Sequence, residues 1–279
     1  MEAVSAIRLL SDGTQPGVRN MAVDEALMRS AAAAGVVTLR LYRWEPACLS
    51  FGRNQEARDA YDAADAAERG IDVVRRPTGG RAVYHHRELT YSVAAPAGTW
   101  GSLRETYRRI NRALAAGLRE LGVPAVCAGD EPDDRGRRRA APRPTPRACF
   151  RDPLPGEVTV GGRKLVGSAQ WRDGGAFLQH GSILLVDEQH VVESLRSRGH
   201  AVGTPSDPMT ATSADAGGIS LADLLDELPR PPRLEAALAD GFAREFGVEL
   251  RSGEPTHDET RAATDLEARY ADPAWTWRR

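Results

Sequence analysis

Two side chains stand out as groups able to do covalent chemistry: Cys149 and Lys164, 15 positions apart. Lys164 is the one lysine in a chain that carries 36 arginines. Arginine stays protonated, whereas a partly buried lysine can shift its pKa and serve in acid–base work. A general replacement of lysine by arginine explains the depletion, and a survivor on a solvated turn is the plain alternative. The setting argues for more. Lys164 follows Gly161-Gly162 in the run Gly162-Arg163-Lys164-Leu165-Val166-Gly167-Ser168-Ala169-Gln170, and Leu178-Gln179-His180-Gly181-Ser182 comes soon after. A rigid hairpin there fixes where the amine points, as a site requires. Cys149 lies among arginines and prolines, and nearby cations stabilise a thiolate. Cys48 and Cys127 have apolar neighbours and read as buried hydrophobes. Neither a Ser-His-Asp elbow (GxSxG) nor HExxH is present, which leaves the Cys/Lys pair as the nucleophile candidate.

The densest constellation is Arg75-Arg76-Pro77-Thr78-Gly79-Gly80-Arg81-Ala82-Val83-Tyr84-His85-His86-Arg87-Glu88-Leu89-Thr90-Tyr91-Ser92. Two glycines between strand-like flanks let the backbone turn tightly and approach a ligand with no Cβ in the way. Three nearby arginines favour an anionic group such as phosphate. An ordinary hairpin with solvated arginines is the alternative, and Arg76, Thr78, Arg81 and His85 together favour a site. Neither GxGxxG nor GxxxxGK[ST] occurs, so this is not a dinucleotide fingerprint or a P-loop.

Positioning these groups requires strands and helices in alternation. Asn20 is suited to cap a helix running to about Ala34, with Asp24 and Glu25 in its first turn. Val37, Leu39 and Leu41 alternate with Thr38, Arg40 and Tyr42 as in a half-buried strand, and Leu89, Tyr91 and Val93 do the same with Thr90 and Ser92. Ser102-Leu103-Arg104-Glu105 is a capping-box signature opening a helix with the apolar stripe Leu103, Tyr107, Ile110, Leu114, Leu118 and Leu121, closed by Gly122. Strands at 157–160 and 163–168 flank the Gly161-Gly162 turn, and another spans 176–186. Helices are expected near 220–228, 233–246 and 260–270. Interleaved strands, hairpins and helices predict a mixed-sheet α/β or α+β domain.

Length allows one or two domains; because the strand pattern resumes directly after residues 130–155, one domain is expected over 1–279, with 220–279 mostly helical. Residues 130–155, rich in Arg and Pro, read as a mobile loop. The formal net charge of −2 argues against a dedicated nucleic-acid binder. No signal peptide is apparent and no run of about 18 apolar residues could span a bilayer, so a soluble, cytoplasmic protein is expected. The three cysteines, odd in number and without CxxC spacing, suit neither a disulfide framework nor a zinc site.

Taken together, Asn20-Met21-Ala22-Val23-Asp24-Glu25-Ala26-Leu27, Gly52-Arg53-Asn54-Gln55, the Arg76–Val83 run with His85 and Glu88–Ser92, Ala148-Cys149-Phe150, Arg163–Gln170 and Leu178–Ile183 resemble the signature blocks of the lipoate–protein ligase and octanoyltransferase superfamily. The similarity runs to the tail Ala268–Trp275. Gly-Gly-Arg-Ala-Val and Glu-Leu-Thr-Tyr-Ser, with a cysteine before the Gly-Arg-Lys turn, resemble the octanoyltransferase branch rather than the ATP-dependent ligases. Two departures concern the carrier-docking surface: Arg151-Asp152-Pro153-Leu154-Pro155-Gly156 follows Cys-Phe, and the preceding loop is longer and more basic than the pattern.

The resemblance implies a biotin/lipoyl protein ligase-like catalytic domain with mixed, largely antiparallel sheets flanked by helices. It implies transfer of octanoyl from acyl carrier protein through a thioester on Cys149 to a lysine of a lipoyl domain such as the glycine cleavage H protein. Lys164 would hold Cys149 as thiolate. Gly79, Gly80, Gly167 and Ser168 would supply oxyanion donors. Arg76, Arg81 and His85 would line the phosphopantetheine and acyl channel, with Thr78, Gln170 and His180 completing the substrate site. No cofactor, ATP or metal is implied, nor any nucleic-acid or membrane partner. The Arg135–Arg151 cluster either steers an acidic carrier protein or is simply solvated. An ATP-dependent lipoate–protein ligase and a non-enzymatic carrier-protein-binding module are the alternatives.

Overall fold

A computed structural model describes residues 4–130, 153–197 and 218–278. In chain order these form β1 (Ala6–Gln15), α1 (Gly17–Ala34), β2 (Thr38–Trp44), β3 (Cys48–Phe51), α2 (Ala63–Glu68), β4 (Asp72–Arg75), β5 (Val83–His85), β6 (Glu88–Pro96), α3 (Leu103–Glu120) and β7 (Val126–Cys127). They continue with β8 (Val158–Val160), β9 (Arg163–Lys164), β10 (Val166–Asp173), β11 (Ala176–Leu184), α4 (His190–Ser194), α5 (Pro231–Phe246), β12 (Glu249–Ser252), α6 (His257–Ala271) and α7 (Pro273–Thr276).

The main sheet runs β10-β11-β6-β2-β1-β12. Its first four strands are antiparallel neighbours, while β2–β1 and β1–β12 are parallel. The mixed, largely antiparallel α+β architecture expected from the sequence is the one observed. One face carries Leu39, Leu41, Leu89, Val93 and Phe177 against Ile110, Leu114 and Leu118 of α3 and Leu238 and Phe242 of α5. These helices approach closely because Gly117 and Gly241 face each other's backbone: a Cβ at either would collide with a carbonyl, of Ala237 or of Ala113. The opposite face lies under α1 and α6, with Met21, Leu27, Met28, Leu266 and Tyr270 over Tyr42, Trp44 and Leu178. A second sheet, β4-β3-β5, pairs β3 in parallel with β4 and antiparallel with β5.

Several local expectations match. Ser102 and Glu105 form the capping box of α3, and Gly122 beyond its end has φ +84°. Gly161 and Gly162, at φ +56° and +76°, make the tight turn between β8 and β9.

Four others need correction. Helix α1 begins at Gly17 behind Pro16, so Asn20 is not a cap. Its amide instead donates to the Gln15 and Arg43 carbonyls, and Asp24 and Glu25 sit mid-helix, fully buried. The polar faces of β2 and β6 are not solvated: Thr38, Arg40, Tyr42, Thr90 and Ser92 are each 2% exposed or less. Alternation reported the chemistry of a face, and that face is covered by α1 and the second sheet. The helix expected over 220–228 is a single 3₁₀ turn, Leu221–Asp223. Finally, β12 interrupts the helical C-terminal part by pairing with β1, Ala6 opposite Glu249. The Arg/Pro-rich stretch at 130–155 falls almost wholly outside the described residues.

Candidate active site

Where α1 and the main sheet meet the second sheet lies a small cavity of about 50 Å³. Met21, Tyr42, Trp44, Thr90, Ala169, His180 and Ser182 line it from one side, and Ser50, Arg76, Gly80, Val83 and His85 from the other; Gly167, Ser168 and Gly181 complete the wall. A more open groove between α3 and α5, edged by Arg112, Arg119, Cys127 and Arg244, has no comparable convergence. Its charges pair off locally, Arg112 with Asp130 and Arg244 with Glu120.

The turn at Gly79-Gly80 is braced from behind. Arg76, 5% exposed, donates to the carbonyls of Ser50, Gly79 and Arg81, and the Arg53 N–H donates to the Thr78 carbonyl at 2.8 Å. Gly52 packs so tightly under the turn that a Cβ would collide with the Gly80 carbonyl. With these carbonyls drawn inward, planar peptides direct the following N–H groups the other way. Those of Gly79 and Gly80 meet no acceptor among the described residues. The turn therefore offers backbone donors, as expected, but Arg76 serves it as a brace. Arg75 has the same character: its guanidinium is held by the Gly52, Gln55 and Thr276 carbonyls.

Two hydroxyl–imidazole–carboxylate chains face the cavity. In the first, the Thr78 hydroxyl meets His180 Nε2 at 2.7 Å and His180 Nδ1 meets Asp24 Oδ2 at 2.9 Å. Asp24 also accepts from Arg40, Tyr42 and Ser92. Burial alone would raise the Asp24 pKa; the His180 bond and the Arg40 charge outweigh it and hold the carboxyl below its usual value. Burial pushes His180 down, only partly opposed by Asp24. The ring is thus neutral with its proton on Nδ1, and Nε2 accepts from Thr78. In the second chain, Ser50 Oγ meets His85 Nε2 and His85 Nδ1 meets Glu88 Oε1, each at 2.7 Å. Arg76 donates to the Ser50 hydroxyl, and Trp44 stacks on the His85 ring at 4.0 Å.

Lys164 is buried, not solvated: it is 4% exposed and its Nζ lies 2.8 Å from Glu157 Oε1. Glu157 Oε2 accepts the Leu154 N–H. The Tyr107 hydroxyl contacts both Glu157 Oε1 and the Ser168 carbonyl at 3.4 Å, linking Lys164 to the cavity wall without placing it in the cavity. Burial, with Glu157 beside it, raises the Tyr107 pKa far above its usual value and keeps it a neutral donor.

Of the expected site residues, Arg76, Gly80, His85, Gly167, Ser168 and His180 line the cavity. Thr78 turns its hydroxyl inward to His180, and Gly79 and Arg81 belong to the turn beside the cavity. Gln170 bonds Gln179 on the α3 side of the sheet. Cys149 lies outside the described residues, as do Arg135–Arg151. Sequence reasoning missed Ser50, Glu88, Glu157 and the true role of Asp24. A usable signal existed: His85 and Glu88 flank a two-residue turn, and Asn20 and Asp24 share one face of α1 as an i,i+4 pair.

The architecture is that of the lipoate ligases. The chain superposes with TM-score 0.74 on lipoate-protein ligase A bound with ATP, at 24% identity over 99% of both chains. It superposes equally well, at 24% identity over 98% of this chain and 97% of that one, on a bi-partite lipoate protein ligase from Thermoplasma acidophilum. The family model for the lipoyl protein ligase A/B catalytic domain matches residues 16–243, and the chain belongs to that family. Relatives named Octanoyltransferase LipM include those of Kyrpidia tusciae, 44% identical over 98% of both chains, and Symbiobacterium thermophilum, 41% identical over the same share. Among the described residues no helix is long and apolar enough to cross a membrane.

Proposed function

We propose that this protein is an octanoyltransferase of lipoate biosynthesis, moving octanoyl from acyl carrier protein to a lipoyl-domain lysine such as that of the glycine cleavage H protein. The observation that carries the reading is the narrow, largely apolar cavity of Met21, Tyr42, Trp44 and Val83, ending at a turn that presents backbone N–H groups. The 44% identity to a LipM octanoyltransferase supports it.

In this reading the Cys149 thiolate attacks the thioester carbonyl and the carrier thiolate leaves. The acceptor amine then attacks octanoyl-Cys149, loses a proton as the amide forms, and returns the Cys149 thiolate. One nucleophile thus divides the transfer into two easier steps. The Gly79 and Gly80 N–H groups stabilise the oxyanion, and Lys164 supplies positive charge toward the thiolate. No ATP or metal takes part.

The test is incubation with octanoyl-acyl carrier protein without ATP, followed by intact mass measurement. An octanoyl adduct that disappears in Cys149→Ser is expected. Transfer that requires ATP and survives Cys149→Ser would falsify the reading in favour of an ATP-dependent ligase; a tight complex with the carrier but no adduct would leave a binding module. Lys164→Arg, which keeps the charge but not the compact amine, should fold normally and transfer poorly.

A further inference from the structure

Arg53 differs from the arginines around it. Arg40 is neutralised by Asp12 and Asp24, Arg43 meets Glu235, and Arg75 and Arg76 are held by carbonyls. The Arg53 guanidinium has no carboxylate or carbonyl partner among the described residues, and its Nη1 is buried with no hydrogen-bond acceptor. It lies over Trp171, whose ring centre is 5.1 Å from the guanidinium carbon. A buried donor without an acceptor is costly, and a cation held over an indole face is fixed in place rather than dispersed in solvent.

Its position gives this arrangement a purpose. The main chain of Arg53 is tied to the Gly79-Gly80 turn through the Thr78 carbonyl. Its side chain reaches β10, where Trp171 is two residues beyond the cavity-lining Ala169 and so on the same face of the strand. The guanidinium therefore bridges the two walls of the cavity at the outer end of β10. A second guanidinium adds positive charge there: Arg278 donates to the Arg53 carbonyl at 2.7 Å and stacks on Trp275.

We infer that Arg53, seated on Trp171, binds a phosphate oxyanion of the molecule that delivers the acyl chain. The planar fork of a guanidinium matches phosphate oxygens in a bidentate way. Phosphate is favoured over the carboxylate of a free fatty acid by position. A carboxylate sits on the reacting carbon, whose oxygen the Gly79 and Gly80 N–H groups receive in the transferase reading, so the Arg53 guanidinium, set against Trp171, is left for a second anionic group. A phosphate separate from the reacting carbon belongs to a carrier arm. The inference rests on the transferase reading for the identity of the arm, and on Arg53 and Trp171 alone for the site.

The test uses the full chain and non-transferable amide analogues of octanoyl-phosphopantetheine and octanoyl-pantetheine, with octanoate as a third ligand, by calorimetric titration at about 0.1 M salt. Wild-type protein should bind the phosphorylated analogue about tenfold more tightly than the unphosphorylated one, as for a charge-assisted bidentate contact. Arg53→Met, which keeps the stem over Trp171, should bring the two within about twofold and leave binding of octanoate unchanged. Trp171→Leu should reduce the preference in the same direction, and its melting curve together with that of Arg53→Met reports folding. Equal wild-type affinity for the two analogues overturns the site without any variant, as does a preference that survives in a folded Arg53→Met. Octanoate binding that depends on Arg53 assigns the group to carboxylates instead. A phosphate preference in a protein that forms no octanoyl-Cys149 adduct keeps the site and defeats the transferase reading; adduct formation without the preference does the reverse.

Discussion

The two histidine–carboxylate pairs that face the cavity look alike in outline and differ in how their charge is balanced. Asp24 uses both oxygens, receives four side chains and lies 2.9 Å from the buried Arg40 guanidinium. Glu88 concentrates His85, Thr90 and Ser182 on Oε1, while its Oε2 has no partner among the described residues. The first pair is a closed ion network in which His180 is a neutral link holding Thr78 and hence the turn. In the second no guanidinium bonds Glu88 among the described residues, and the imidazole over Trp44 is its nearest polar neighbour able to carry charge. The same chemical pair thus acts as a fixed brace on one wall and as a less compensated group on the other.

Variants that remove charge should separate the walls most strongly. Asp24→Asn leaves Arg40 buried with less compensation and should cost about 3–5 kcal/mol, a fall in melting temperature of order 10 °C for a chain of this size. Glu88→Gln, with no guanidinium bond to break, should cost only about 1–2 kcal/mol. Equal melting temperatures would dissolve the distinction. Next come the hydroxyls. Thr78→Val should reduce octanoyl transfer about tenfold, equivalent to roughly 1.4 kcal/mol, mainly through KM as the turn loosens, and Thr78→Ser should restore it. Ser50→Ala should lose comparable stability with less effect on KM; a larger KM effect there would put the turn's support on the wrong wall. Trp44→Phe keeps a stacked ring on His85 but loses the 2.7 Å bond from the indole to Thr90, and should cost about 0.5–1.5 kcal/mol.

The smallest expected effect concerns acidity. Burial holds the His180 pKa below its unfolded value, so the unfolded chain takes up protons first as pH falls. The contribution of His180 to stability is therefore complete above about pH 6.5 and declines as pH drops toward the folded-state value. Melting curves at pH 7.5 and 5.5 should show a smaller loss in His180→Gln than in wild type; an unchanged loss would mean that folding leaves the ring's affinity for protons as it is in the unfolded chain.

Local rules were legible where local forces decide. The Gly161-Gly162 turn, the Ser102–Glu105 capping box and the Gly79-Gly80 turn each depend on backbone conformations that only a few residues favour. Long-range choices were hidden. Nothing near Glu249 announces that four residues will pair with β1, because the partner strand lies some 240 positions away and the gain comes from completing a sheet edge. Asn20 and Asp24 resembled a helix start because Asn and Asp serve equally as caps and as partners for a buried arginine, and Arg40 reaches them only once β2 lies beneath α1. Arg76 showed the same ambiguity. A guanidinium that braces carbonyls and one that binds an anion are written with the same letter, and only the neighbouring backbone distinguishes them.

Helix α7 closes the site. The Trp275 indole donates to the Arg75 carbonyl, and the Thr276 carbonyl holds the Arg75 guanidinium, immediately before Arg76 and the glycine turn. The cavity wall built around residues 50–85 therefore lacks its final brace until synthesis has passed residue 276. A nascent chain held on the ribosome, or a product cut a few residues short, has every residue of the two histidine chains and still lacks the contact that secures the end of β4.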